Sequence, residues 1–195
     1  MRELSRYLGI VAIAVVFGGA THAQTPERKS DAPATNPQAA VLQDFKARVD
    51  AYMKLHKELR GDGAKQKETE NPEQIVARQK TLAARVQQAR KTAKPGDIFT
   101  PETRARFRQL MYPETVGTAG KETKQMIKED APAKVSLKIN SEYPQNQPLP
   151  TTPPNVLASL PQLPEELEYR IIDKHLILRD VQANLIVDYT PNAIR

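Results

Sequence analysis

The chain has 195 residues, of which 29 are Lys or Arg and 23 are Asp or Glu, so its formal net charge at neutral pH is +6. This length allows one domain, or a small domain with a helical appendage, and excludes a large multidomain enzyme. The sequence has no Cys, which excludes a disulfide framework, thiol catalysis and Cys-based zinc or iron–sulfur sites. Aromatic residues make up only 5% of the chain, so stacking platforms for bases or sugars are sparse.

The N-terminus has the pattern of a secretory signal peptide. Two arginines precede an apolar run over residues 8–20, and Thr21-His22-Ala23 places small residues before a cleavage site. The run is short for a bilayer crossing, which needs about 20 residues. We therefore predict that residues 1–23 are removed and that the chain is exported to the periplasm or outside the cell, with no transmembrane segment after cleavage. An uncleaved membrane anchor is the alternative.

Export changes the meaning of the basic charge. A basic cytosolic protein suggests nucleic acid as a partner, whereas an exported one meets anionic lipids, cell-wall polymers and acidic proteins. We therefore expect no nucleic-acid partner. The expected partner is an envelope protein or an anionic envelope polymer, unless the charge serves only solubility.

The mature chain is predicted to begin with a leader and a helix. Residues 24–38 are polar and contain prolines, with almost nothing apolar to bury, and we predict a disordered leader. Asn36-Pro37 has the pattern of a helix N-cap followed by a proline at the first helical position. Gly61-Asp62-Gly63 is expected to end this helix. Its predicted buried face follows spacings of three and four residues: Leu42, Phe45, Val49, Tyr52, His56 and Leu59.

A second helix is predicted to follow a short polar link. Asn71-Pro72 provides the N-cap and first position, and Gln74 is placed for a capping box. Lys94-Pro95-Gly96 is expected to end the helix. Two helices of similar length joined by a short link predict an antiparallel helical hairpin, of coiled-coil type, over residues 39–96. The second predicted face is poor in large side chains: Ile75, Gln79, Leu82, Val86, Ala89 and Ala93.

Residues 97–195 are predicted to form a small α+β domain. Thr100-Pro101 starts a short helix, residues 115–130 are only weakly helical, and residues 135–139 alternate as a strand. A proline-rich link covers residues 143–164, in which Thr152-Pro153-Pro154 can start one short helix.

The C-terminus has the clearest β pattern, a meander over residues 168–189. Apolar runs at residues 169–172, 176–178 and 185–189 are separated by a two-residue turn, Asp173-Lys174, and by a longer turn between Asp180 and Asn184. The predicted fold class is therefore α+β: an N-terminal antiparallel helical hairpin followed by a small antiparallel β-meander covered by short helices.

Residues that could carry chemistry are sparse. His56 lies on the apolar face of the first helix and His175 starts a strand near Asp173, and neither has a His partner at a metal-ligand spacing. No phosphate-binding, nucleophile-elbow or metalloprotease motif occurs. We therefore predict no catalytic residue, no metal site, no cofactor and no enzymatic activity.

Two charged clusters are candidate binding sites. An acidic one before the meander could hold a hard cation or a basic partner, or could simply be solvated: Glu165, Glu166 and Glu168. A basic one on the second helix, opposed only by Glu73, could form a face for an anionic polymer or lipid headgroups, or could also be solvated: Arg78, Lys80, Arg85, Arg90, Lys91 and Lys94.

The C-terminal segment resembles a known periplasmic module. Its proline-rich entry, Tyr169, two-residue turn, apolar strand, Asp180 and final Ile186-Val187-Asp188 resemble the C-terminal module of RcnB-type periplasmic proteins. The C-terminal half as a whole resembles uncharacterised exported proteins of Gram-negative bacteria. The RcnB-type resemblance implies a periplasmic role in nickel and cobalt homeostasis.

Three functions follow as hypotheses. The first is an exported, non-enzymatic interaction protein that docks through its helical hairpin or the edge of its meander. The second is a periplasmic accessory protein of metal homeostasis, and the third is an envelope enzyme of unidentified class.

Overall fold

The computed structural model describes residues 36–61, 71–132 and 135–194, as helices followed by a three-stranded antiparallel sheet. The predicted signal peptide and almost all of the predicted leader lie outside these residues. Within them, no helix is long and apolar enough to cross a bilayer. The elements are α1 Pro37–Arg60, α2 Pro72–Ala89, α3 Pro101–Met111, α4 Gly117–Glu129, α5 Pro154–Ser159, β1 Leu167–Ile172, β2 His175–Asp180 and β3 Leu185–Thr190.

The starts of α1, α2 and α3 confirm the predicted caps. The Asn36 side chain accepts from the Gln38 N–H at 3.0 Å, Asn71 accepts from the Glu73 N–H at 2.9 Å, and Thr100 caps α3. Each cap precedes a proline, which has no N–H to satisfy at that position. Because α1 begins at Pro37, residues 37–38 are helical, and the predicted leader is two residues too long.

Helix α1 buries the predicted face and ends where expected. Five of its side chains are buried: Phe45, Val49, Tyr52, Met53 and His56. Leu42 and Leu59 are partly buried against the same core. Gly61 follows the helix with φ of +69°, a conformation that glycine adopts without a Cβ clash.

Helix α2 starts as predicted but differs from the prediction in where it ends and in how its first turns are buried. It stops at Ala89 rather than near Lys94, and Ile75, expected on the buried face, is 51% exposed. Beyond the helix, the Arg90 carbonyl accepts from the Ala93 N–H at 2.9 Å and from the Asn140 side chain at 2.7 Å, and the Lys94 N–H bonds the Asp97 carboxylate.

Helix α4 is a full 13-residue helix, so the prediction of weak helicity was wrong. Gly117 starts it with φ of +69°, and Gly120 allows its close approach to the preceding turn. A Cβ at Gly120 would lie 2.3 Å from the carbonyl carbon of Thr115. Both glycines weaken the helical pattern in the sequence, but Gly117 provides the left-handed start of α4 and Gly120 allows its close packing.

The strand predicted over residues 135–139 does not form. Residues 140–143 lie beside β3 instead: the Asn140 N–H donates to the Ile186 carbonyl at 2.8 Å, and the Ile186 N–H donates to Ser141 at 2.9 Å. Val135 and Leu137 still pack against buried apolar side chains of the sheet. The alternation of apolar residues in this segment therefore reflects side-chain packing and not backbone pairing with a strand.

The meander itself is confirmed, with strand order β1-β2-β3. Ile172 pairs with His175 across the two-residue turn, where Asp173 has φ of +54°. Asn184 closes the longer turn with φ of +54°, and a bulge interrupts the β2–β3 register between Leu178 and Arg179. The turn residues thus have the left-handed conformations that Asp and Asn tolerate.

Both faces of the sheet are buried. One face, which includes Leu178, shares a single apolar cluster with buried side chains of α1, α2 and α3. The other face, which includes Ile177, packs on Tyr143 and on residues from the segment before it. Ile177 and Leu178 are both 0% exposed, so neighbouring strand positions serve two different cores.

Four aromatic side chains form the centre of the larger core. The Phe107 ring of α3 lies 4.9 Å from Phe45 of α1, 5.4 Å from Phe99 and 6.1 Å from Tyr169 of β1, each in an edge-on arrangement. Phe45 and Phe99 stack at 5.7 Å. Phe107 therefore packs against side chains of α1, of the loop before α3 and of β1.

Candidate functional site

A buried polar cluster connects α1 to the end of β2. His56 Nδ1 lies 2.7 Å from Asp180 Oδ2, and the Tyr52 hydroxyl donates to the same oxygen at 2.6 Å. The other Asp180 oxygen accepts from the Ala183 N–H at 2.7 Å. His56 Nε2 lies 3.2 Å from the Gln182 side-chain oxygen. Both ring nitrogens of His56 thus face oxygen acceptors, which suits a doubly protonated, cationic imidazole.

The environment favours the charged forms of both partners. Burial by itself lowers the pKa of His56, but the hydrogen bond to Asp180 and the negative charge of its carboxylate outweigh burial and raise it. Burial by itself raises the pKa of Asp180, but hydrogen bonds from His56 and Tyr52 lower it. Both side chains are 0% exposed, so this pair connects α1 to the end of β2 in the interior.

We expect a bell-shaped dependence of stability on pH from this pair. The raised His56 pKa contributes stability that is complete below about pH 6.5 and is lost as the pH rises through the folded value. The lowered Asp180 pKa contributes stability that is complete above about pH 3.8 and is lost as the pH falls through the folded value. The free energy of unfolding of the wild type, measured in urea, should therefore decrease from pH 6 to pH 9.

The matched variant for this prediction is His56→Gln, which keeps a polar side chain but cannot titrate. Its unfolding free energy should be lower at pH 6 and should change less than that of the wild type between pH 6 and pH 9. The other groups near the imidazole are Tyr52, Gln182, whose side-chain oxygen also accepts from Arg60, and the more distant Glu166. An unchanged alkaline slope in His56→Gln would assign the pH dependence to these groups.

A second buried carboxylate fixes the loop before α3. Asp188 of β3 accepts from the backbone N–H groups of Ile98 and Phe99 at 2.8 Å each, and from that of Gly96 at 3.0 Å. These bonds place the Phe99 ring against Phe45 in the core. Asp188 is 0% exposed, so it too is a structural anchor for the loop.

The sheet edges, one of the two predicted docking surfaces, are occupied at several positions. On β3, residues 140–143 bond the backbone, the Arg90 guanidinium donates to the Val187 carbonyl at 3.2 Å, and Arg104 donates to the Tyr189 carbonyl at 3.3 Å. On β1, the Thr152 hydroxyl donates to the Tyr169 carbonyl at 2.8 Å. These contacts leave little room for an added strand at those positions.

The remaining sequence-predicted candidates occupy separate places. Glu168 forms ion pairs with Arg170 and Arg179, which outweigh burial and lower the pKa of its carboxyl group. Glu165 is exposed, and His175 Nδ1 accepts from the Asn192 N–H at 3.2 Å. Within the described ranges, no three His, Asp or Glu side chains are grouped to hold a metal ion.

The predicted basic face is divided by the structure. Arg78, Lys80 and Arg85 are exposed along α2, and Lys91 and Lys94 are exposed in the turn after it.

Arg90 is different from these five residues. Its guanidinium lies 5.1 Å from the centre of the Tyr52 ring and bonds the Asn140 side chain at 2.9 Å, and burial lowers its pKa. Arg90 therefore belongs to the fold rather than to a free surface.

The side chains in the first half of α2 are largely exposed. Every residue from 71 to 78 is exposed, including the large apolar side chains Ile75, at 51%, and Val76, at 39%. Burial begins only at Leu82 and Ala83. We call residues 72–80 the α2 tip, a short helical surface with two apolar and two cationic side chains, Arg78 and Lys80, and one acidic residue, Glu73.

An apolar groove also lies beside α1, with a volume of about 500 Å³. Phe45 and Val49 of α1 form one wall, and Pro161 and Pro164 form the other. Its charged rim is a Lys46–Asp50 ion pair at 2.8 Å, which leaves no net charge to select a ligand.

The sequence did not predict the buried hydrogen bonds of Asp180 to side chains of α1 or those of Asp188 to backbone N–H groups. The available signal was weak: Tyr52, His56 and Arg60 are polar residues at four-residue spacings on an otherwise apolar helix face. Nothing in the sequence indicated which of several acidic residues would meet them.

Comparisons with protein-family models, with curated proteins and with solved structures each found no match to this chain.

Proposed function

We propose that the chain is an exported, non-enzymatic interaction protein that binds an anionic partner through α2. The observation that carries this proposal is the α2 tip, which exposes Arg78 and Lys80 on a helix that the rest of the described chain does not cover. Residues 71–94 contain five exposed basic side chains besides Arg90 and one acidic side chain, so their charge suits an anionic surface. The signal-peptide pattern of residues 1–23 supports export.

The internal use of the polar groups supports a non-enzymatic role. His56, Asp180 and Asp188 are each 0% exposed, and each bonds groups of the same chain. The groove beside α1 is lined by other residues. A catalytic site needs an acid or base within reach of a bound substrate, and these three side chains are not placed for that.

The proposal includes the arrangement of the first two helices. Arg85 donates to the Leu59 carbonyl at 2.9 Å, and Arg90, further along α2, lies over Tyr52, which is earlier in α1. The later residue of α2 thus contacts the earlier residue of α1, and this order supports an antiparallel hairpin. Buried side chains of α1 and α2 in one cluster with the sheet support helices that cover one sheet face.

Charge reversal on α2 tests the function. Binding of labelled dextran sulfate should weaken at least about tenfold in the Arg78→Glu/Lys80→Glu double variant, since each basic side chain near an anionic surface contributes about 1 kcal/mol. Binding should also weaken as NaCl rises from about 50 to about 200 mM, because exposed charges are screened. Fluorescence anisotropy gives both results.

The matched control is Lys121→Glu/Lys124→Glu, which makes the same change of net charge on exposed positions of α4. It should retain the affinity of the wild type within about twofold. Equal losses in the two double variants would show that only net charge matters, and would contradict a specific role of α2.

A further inference from the structure

We propose that the anionic partner is a lipid bilayer surface, which the α2 tip contacts with Ile75 and Val76 in the interfacial layer and with Arg78 and Lys80 on the headgroups. This inference rests on the proposed function and names the partner of the same site.

The apolar stripe of α2 continues beyond the core. At 100° per residue, Ile75 and Val76 share one side of the helix with the buried residues Leu82, Ala83 and Val86. Among the described residues of the stripe, Ile75 and Val76 are exposed, and full burial begins at Leu82. The α2 tip thus presents the same face to its surroundings that the second half of the helix presents to the core.

The two cations lie on either side of this stripe. The helical angle places Arg78 about 60° to one side of Ile75, and Lys80 about 40° beyond Val76 on the other side. Arginine and lysine at the borders of an apolar face can extend to anionic headgroups while the face contacts acyl chains. Glu73 is the one acidic side chain of the tip, and it lies near Lys80 around the helix.

The exposed apolar pair favours a bilayer over the other anionic partners. A soluble polymer would engage Arg78 and Lys80 and would gain nothing from Ile75 and Val76. A stable protein interface commonly buries about 800 Å² on each partner, which is more than a helix tip with two apolar side chains offers. A bilayer needs only a small inserted patch with flanking cations, although two apolar residues make the binding weak and reversible.

Vesicle binding by the exported protein tests the inference, after mass spectrometry has established its N-terminus. Wild type should bind phosphatidylcholine vesicles that contain about one third phosphatidylglycerol, and should bind pure phosphatidylcholine at least about tenfold more weakly, since two cations contribute about fivefold each. Ile75→Ser/Val76→Ser should lose at least about tenfold in binding to the anionic vesicles and should retain dextran sulfate binding. The matched control, Met126→Ser/Leu157→Ser, changes two other exposed apolar residues and should bind as wild type.

A fluorescent substitution reports insertion directly. Because the chain has no Trp, Ile75→Trp places a single indole in the α2 tip. Its emission should shift to shorter wavelength with anionic vesicles and stay unchanged with dextran sulfate. Tyr112→Trp, at a position that is 58% exposed, should show no shift with either.

The outcomes separate the two proposals. Binding to dextran sulfate with no vesicle binding, or vesicle binding that Ile75→Ser/Val76→Ser leaves unchanged, would overturn the bilayer inference and leave the anionic function standing. Binding to neither would overturn both. A dimer in sedimentation that Ile75→Ser/Val76→Ser dissociates would show that a second copy covers the α2 tip, and would also overturn the inference.

Discussion

Replacement of Asp180 by alanine should lower the free energy of unfolding by about 3–5 kcal/mol at pH 6. This is the usual cost of removing one partner from a buried ion pair, because the other charge stays buried without compensation. Here the loss would leave both His56 Nδ1 and the Tyr52 hydroxyl without their shared acceptor. The Ala183 N–H in the following turn would lose its acceptor as well. Urea unfolding followed by circular dichroism measures the effect.

Two further variants isolate the cause. Asp180→Asn keeps the size of the side chain and removes its charge, so it should remain destabilised and should lose the stability change that the wild type shows above pH 6.5. Glu122→Ala, which removes an exposed acidic side chain of α4, should change stability by less than about 1 kcal/mol. A loss below about 1 kcal/mol in Asp180→Ala would mean that the cluster contributes little to holding α1 on the sheet.

Phe107→Ala should also cost about 3–5 kcal/mol, the range for a large aromatic side chain removed from a packed core. Its ring is 0% exposed and lies within 6.1 Å of three other aromatic rings, from α1, from the loop before α3 and from β1. Because those rings belong to different elements, they are not free to close the cavity without moving a helix or a strand. We therefore expect a value in the upper part of the range, from denaturant unfolding at constant pH.

Tyr112→Ala is the control for this variant. Tyr112 directly follows α3 and is 58% exposed, so its loss should change the unfolding free energy by no more than about 0.5 kcal/mol. Similar effects of Tyr112→Ala and Phe107→Ala would show that α3 is fixed by its surface contacts and not by the aromatic cluster.

Local sequence patterns predict the starts and turns of this fold well. Asn36, Asn71 and Thr100 cap their helices because a side-chain oxygen reaches N–H groups only two or three residues away. Asp173 and Asn184 occupy left-handed turn positions for the same local reason, since their short polar side chains tolerate that conformation.

The errors occur where distant residues compete for the backbone. Helix α2 ends at Ala89, and the carbonyl of Arg90 after it bonds the Ala93 N–H and also Asn140, fifty residues later in the chain. Residues 135–139 form no strand because residues 140–143 take the place beside β3. In α4, the glycines argue against a helix by propensity, yet Gly120 is needed for contact with Thr115.

The sequence by itself determined the α+β order, the starts of α1, α2 and α3, the turns of the meander and the excess of basic residues on α2, because each depends on neighbours within a few positions. The tertiary structure alone decided which polar residues are used internally. His56 and Asp180 are separated by 124 positions and meet only when α1 lies against the end of β2, and Arg90 leaves the predicted basic face because its guanidinium reaches the backbone of β3. Packing likewise decided that Leu82 is buried while Ile75, on the same helix face, is exposed. Periodicity defines the apolar face of a helix, but only the extent of the neighbouring core determines how much of that face is covered.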